Sequence, residues 1–232
     1  MPKTIKEILE EHSLYVEGNE EFGRRLTTPM LGFFVKFDKP FVKFDKSKDL
    51  RNANLQWADL AHVNLFEAGL QLTDLRNAIL FKANLFEANL QEADLQNANL
   101  RYATLVKADL YKADLTGATL QTANLREANL KYATLRWADL KYAILRGTKL
   151  KGANLWDANL KGATLEGADL TNANLSGVDL TGANLRRAIL QGAKLKGANF
   201  HRMRVKEADF TGAEMNFAQK SYVRVRGVVI DE

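Results

Sequence analysis

From Leu50 to Leu195 every fifth residue is leucine, thirty times without a slip. The register continues at Phe200, Val205, Phe210 and Met215 and breaks at Lys220. From Leu55 onward a small residue, mostly alanine, stands two residues before each leucine of the run, as at Ala53, Ala83 and Ala98, and Ala198 holds the same place before Phe200; Val63, Thr73, Thr148 and Val178 are the exceptions to alanine within the leucine run. Asn, Asp or Thr usually separates the two, giving the unit A-[N/D/T]-L-x-x. On an α-helix five residues turn through about 500°, so successive leucines step about 140° and form no stripe. On a flat strand an odd period sends successive leucines to opposite faces. The pattern predicts a backbone that bends once per unit, so that leucine and alanine turn toward a common axis. Such a chain coils, and each coil must pair with the next to satisfy its N–H and C=O groups. That is a β-solenoid.

Periodicity does not say how many units close one coil. The run of A-N-L-x-x and A-D-L-x-x units over residues 48–219 resembles the pentapeptide-repeat family, common in cyanobacteria. The resemblance implies an all-β, right-handed quadrilateral β-helix with four units per coil. Leu50 through Met215 are thirty-four units, which would make about eight coils in a rod roughly 40 Å long at the usual strand spacing. Three regions are then expected: 1–47, a capping helix and Phe-rich segment; 48–219, the β-helix; 220–232, a capping strand or tail.

Before the array, Thr4 to Tyr15 has the pattern of a short amphipathic helix, with Thr4 as cap and Glu7 three residues on. His12 to Tyr15, Gly18 and Gly23-Arg24-Arg25 resemble the leader found before many bacterial pentapeptide arrays. Such a helix would cover the open end of a solenoid. The stretch from Phe34 to Pro40 is repeated at once from Phe41 with Ser47 in place of proline, outside the five-residue register. It is expected to lie extended along the first coil, or to offer aromatic contacts to a partner. After the array, Ser221 to Ile230 alternates as a last strand, expected to plug the core together with Phe200, Phe210, Met215 and Phe217.

With four units per coil, residues twenty apart stack in columns. One column begins Phe66, Phe86, Val106, and Phe81 lies on the adjacent face. Stacked aromatics on a surface need a cover, so Phe66, Phe81, Phe86 and Val106 form a candidate interaction surface for segment 30–45, a second copy or another protein. Arg126, Lys131, Arg136, Lys141, Arg146 and Lys151 are basic at one position of six consecutive units, and Tyr132, Trp137 and Tyr142 follow three of them. Cations interleaved with rings suit phosphates and bases. The six wrap about one and a half times around a four-sided rod, however, making a collar rather than a stripe. A solvated collar with local cation–π pairs is the competing expectation.

Asp74, Asp94 and Asp114 stack in a third column. They would repel unless a Ca²⁺ or Mg²⁺, Arg76 and Lys112, or backbone N–H groups neutralised them. Glycine is frequent at the second position after leucine from Gly147 onward, which predicts tighter, more uniform type II corners there than before it. The array contains no proline, as ladder bonding requires.

Composition narrows the function. The chain has 232 residues, 46% of them apolar, and no cysteine, so neither a disulfide framework nor thiol chemistry is available. No apolar run is long enough to span a membrane, and the first residues do not resemble a secretory signal. A cytoplasmic setting without a membrane partner is expected. His12, His62 and His201 are dispersed, and neither a phosphate loop nor a nucleophile elbow is present. These features predict a protein that is not an enzyme and that uses no catalytic residues, cofactor or metal. The expected role is a structural or protein–protein interaction module, monomeric or dimeric. Binding of nucleic acid or another polyanion at the collar, or a relation to DNA gyrase, is the alternative. Some members of the family resemble B-DNA as acidic rods and inhibit gyrase by mimicry, but the net charge of +5 departs from that.

Overall fold

The computed structural model describes residues 50–226 together with Val228 and Ile230. The expectations for Thr4–Tyr15 and for residues 27–49 lie outside these residues. Within them the five-residue unit accounts for its own backbone. Around Leu75, the Leu75 N–H donates to Asp94 O in the next coil, Asn77 N–H to Gln96 O, Ala78 N–H closes a turn onto Leu75 O, and Ile79 N–H reaches back to Ala58 O. The fifth donor, Arg76 N–H, goes to Oδ1 of Asp74 at 3.2 Å. The same bond recurs at Asn84 to Phe86 and Asp169 to Thr171. This is why Asn and Asp crowd the position before leucine: their side chains accept the one N–H that neither turn nor ladder uses.

Parallel bridges join residues twenty apart, from Asn54 with Asp74 to Lys194 with Glu214. One coil is therefore four units and four turns, as the resemblance implied. The chain is a β-solenoid.

Inside it, every leucine of the five-residue register from Leu70 to Leu195 is at most 1% exposed, so the interior is a filled column; Leu72, off the register on a corner, is 55% exposed. Each register leucine contributes about 1.5–3 kcal/mol of burial. Thr73 and Thr148 are buried with it, and their hydroxyls donate to Leu50 O and Leu125 O, each at 2.8 Å. The branched residues strain their turns slightly. The turn bond measures 3.3 Å at Val63, Thr73 and Val178 and 3.2 Å at Thr148, against 3.0 Å at Ala78 and Ala123.

The corners do not change at residue 147 as the glycine distribution predicts. The second residue after every leucine-position residue from Leu50 to Phe210 has positive φ: 53–62° for the non-glycine residues and 64–79° for the glycines. With the closing bond from alanine N–H to leucine O, each is a type II turn. A left-handed conformation costs an L-residue about 1–2 kcal/mol, and the ladder imposes it nonetheless on Trp57, Tyr102, Lys107 and many others. At Gly152 glycine answers a second demand. A Cβ there would lie 2.7 Å from ring carbons of Tyr132, which covers it from the preceding coil. Gly162 lies under Tyr142 in the same way.

The end of the array corrects the sequence reading. The alternating segment does not add a strand: Phe217–Arg224 is a helix, α1. Asn216 caps it, accepting from Gln219 N–H while the Gln219 side chain accepts from Asn216 N–H, a capping box. Its inner side lays Gln219, Tyr222 and Val223 over the last coil. Tyr222 meets Phe200 at 5.9 Å and donates its hydroxyl to Met203 O at 3.0 Å. Phe210 and Met215 take part in the plug, but Phe217 is 88% exposed and does not.

Candidate interaction surface

The twenty-residue coil places the predicted aromatic column as expected. Phe66 and Phe86 stack with ring centroids 5.4 Å apart and 7° between planes. They stand on the corner that follows the face of Asn64, Asn84 and Thr104; Val106 continues the column. Phe81 stands on the corner before that same face, edge-on to His62 at 5.5 Å and to Tyr102 at 5.6 Å. One polar face, laced by a 2.9 Å bond from Asn84 Nδ2 to Asn64 Oδ1, is thus flanked by two aromatic ridges. Tyr102, which sequence reasoning left out, belongs to the second ridge. Its signal was available: it lies twenty-one residues after Phe81, on the same corner of the next coil. Val106 and Phe86 are half-buried, whereas Phe66 is 40% exposed.

The six cations of the collar are distributed around all four sides, with Arg126 above Arg146 and Lys131 above Lys151. Most have local partners. Arg126 pairs with Glu127 at 3.3 Å, Lys141 with Asp139 at 3.8 Å and Arg146 with Glu166 at 3.5 Å. Arg136 lies between two indoles, 4.4 Å from the Trp137 ring and 4.9 Å from that of Trp156. Lys131 and Lys151 have no acidic partner among the described residues. The cation–π expectation holds at Arg136, and the other pairs are with carboxylates.

In the acidic column Arg76 does the neutralising. It grips both oxygens of Asp74, at 2.9 and 2.6 Å, and reaches Asp94 at 3.5 Å. Burial works against the Asp74 charge, but the hydrogen bonds from Arg76 and Gln56 outweigh it and lower its pKa. Burial pushes the Asp94 carboxyl up; Gln96 N–H and Arg76 oppose this, and the charges of Asp114 and Asp74 add to it. Gln96 bridges Asp94 and Asp114 at 3.3 and 3.0 Å. Lys112 turns away to Glu92, at 3.8 Å. Among the described residues no group of three or more His, Asp or Glu side chains is arranged to hold a metal ion.

Because a coil is twenty residues, charge along the sequence becomes charge along the axis. Residues 152–179 carry one Lys against four acids, and residues 180–226 carry ten Lys and Arg against three acids. The C-terminal coils are therefore a second basic region besides the collar. It escaped the sequence reading because its cations are scattered over several positions of the unit. A shallow cleft of about 170 Å³ there is lined by Glu166, Arg186, Arg187, Lys206 and Glu207, below the size of a usual small-molecule site. No helix among the described residues is long and apolar enough to cross a membrane.

Fold and surface together define a repeat solenoid with a solid core and its variable residues outside. The pentapeptide repeats model matches in eight copies, over residues 49–80, 83–121, 120–157, 148–187 and 188–219. The chain belongs to the pentapeptide-repeat family. It is similar to HetL, a pentapeptide repeat protein of the cyanobacterium Nostoc involved in heterocyst differentiation regulation. The identity is 36% over 71% of this chain and 84% of that one, with a TM-score of 0.33. A pentapeptide repeat protein of the Arabidopsis thaliana thylakoid lumen is 36% identical over 41% of this chain and 70% of its own, with a TM-score of 0.35. A trypsin-treated single-residue variant of QnrB1, a plasmid-mediated fluoroquinolone resistance protein, is 17% identical over 72% of this chain and 95% of its own, with a TM-score of 0.50, a likeness of fold alone. Among curated proteins none matches.

Proposed function

We propose that this protein is a non-enzymatic structural or protein–protein interaction module, a right-handed quadrilateral β-helix that presents the twin-ridged face of its first coils to a protein partner in the cytoplasm. One observation carries the reading: Phe66–Phe86 and Phe81–Tyr102 flank a single face over adjacent coils. Aromatic rims around a polar floor suit an extended protein segment, since rings supply apolar contact at low entropic cost while the Asn ladder supplies hydrogen bonds. The filled core supports the non-enzymatic part, because among the described residues buried leucine and alanine side chains occupy the interior in which a reaction would have to be shielded from water. Affinity capture from native lysate, with wild type and a Phe66→Ser/Phe86→Ser variant of unchanged melting temperature, tests it. A partner retained by the wild type and lost by the variant supports the reading; equal capture by both rejects it.

The collar offers a second reading, polyanion binding, favoured by the stacked and unpaired Lys131 and Lys151. Its measure is a mobility shift on duplex DNA or RNA that weakens as salt rises. If no shift occurs at low salt, the collar is solvated surface.

A further inference from the structure

We propose that the C-terminal end of the rod docks on an anionic lipid surface. Residues 180–226 hold ten Lys and Arg against three acids, and the structure brings them to the last two coils and α1. Two of the acids are occupied: Glu207 by Arg187 at 2.7 Å and Lys206 at 3.7 Å, Asp209 by Gln191 at 2.7 Å. Arg186, Lys194, Lys196, Arg202, Arg204, Lys220 and Arg224 have no acidic partner among the described residues. Asp231 and Glu232 end the sequence and lie outside those residues.

Charge alone would suit any polyanion. The apolar groups among the cations make the choice. Helix α1 turns Gln219 and Val223 into the core, which leaves Phe217 88% and Val225 82% exposed at its two ends. Phe217, Lys220 and Arg224 follow at helical spacing along the outer side. A bilayer interface accommodates both kinds of group at once, with cations among anionic headgroups and Phe and Val at the acyl boundary. Nucleic acid would use the cations and leave Val225 in water. The sequence expectation of no membrane partner rested on the lack of a spanning segment. Lipid contact by an end needs no span, and a tail read as a strand conceals the outer side of α1.

Sedimentation of the full chain with extruded vesicles tests the proposal, comparing phosphatidylcholine alone with phosphatidylcholine containing about 30% phosphatidylserine. The bound fraction is expected to rise about tenfold on the anionic vesicles at about 100 mM NaCl and to collapse at about 500 mM, where charges are screened within a few ångströms. Arg202→Glu/Arg204→Glu abolishes binding. Phe217→Ser/Val225→Ser lowers it about fivefold at an unchanged melting temperature, since both side chains lie outside the core. Lys131→Glu/Lys151→Glu, in the collar, leaves it intact. Equal binding to both kinds of vesicle, wild-type binding by the Phe217/Val225 variant, or an equal loss in the collar variant would overturn the proposal. So would tighter binding to duplex DNA that the Phe217/Val225 variant retains in full.

Discussion

The side-chain amide of Gln219 donates to the carbonyl of Ala198 at 2.8 Å. In every earlier coil that carbonyl takes a backbone N–H from the residue twenty-one positions on, as Ala53 O does from Asp74. Residue 219 is that residue. Its backbone has left for α1, where its N–H serves Asn216, and its side chain supplies the donor instead. The same amide also reaches Leu195 O at 2.7 Å.

Gln219→Ala leaves these buried carbonyls short of a donor and costs about 1–3 kcal/mol. Gln219→Glu costs more, because it turns an acceptor toward acceptors. Urea denaturation measures both, with Lys220→Ala as a near-neutral reference.

Gly152→Ala and Gly167→Ala both place an L-residue at positive φ, but only the first meets Tyr132; a Cβ on Gly167 has nothing within 4 Å. Gly167→Ala is expected to cost about 1–2 kcal/mol, and Gly152→Ala more. In a double-mutant cycle Tyr132→Ala should erase the excess at Gly152. An excess that persists would place the strain in the backbone.

Acid acts on Asp74 and Asp94 with opposite signs. The folded pKa of Asp74 lies below its ordinary 3.8, so its stabilisation is present above that value and lost as pH falls through the folded value. That of Asp94 is raised, so its contribution is present below 3.8 and lost as pH rises through the folded value. At pH 7 Asp74→Asn should lower the melting temperature and Asp94→Asn should raise it, each by less than about 1 kcal/mol equivalent, as for partly exposed charges. Below pH 3 both differences shrink. Thermal melts at pH 7 and pH 3 check the signs.

Leu120→Ala opens a hole in a column with no slack and should cost about 2–5 kcal/mol. Because each coil touches only its neighbours, Leu140→Ala should cost nearly the same. Melting temperatures of the two variants test the uniformity.

Much of this molecule is legible from its residues. Leu50 to Leu195 and their alanines are core in the order the period dictates, since an inward-facing position tolerates few alternatives. The number of units per coil is not in the period, because it depends on the angle of each corner; it came from likeness to known arrays. The corners before Gly147 were misjudged because positive φ at Trp57 or Lys107 leaves no mark on residue type once the ladder enforces it. Helix α1 was missed although Asn216 and Gln219 spell a capping box. The alternation after Ser221 suggested a strand, but Gln219 and Tyr222 already meet the carbonyls of Leu195, Ala198 and Met203. The paired ridges were half visible: Phe66 and Phe86 are twenty apart, whereas Phe81 and Tyr102 meet across a corner offset by one.

A twenty-residue coil also constrains how such a gene can grow. Duplicating one unit anywhere in the array preserves every inward side chain, so the product folds, yet all later residues shift a quarter turn. Phe66 would then no longer share a corner with Phe86 if the copy fell between them. Only gains or losses of four units at a time leave a surface in alignment, so folding and recognition obey different rules of inheritance in the same chain.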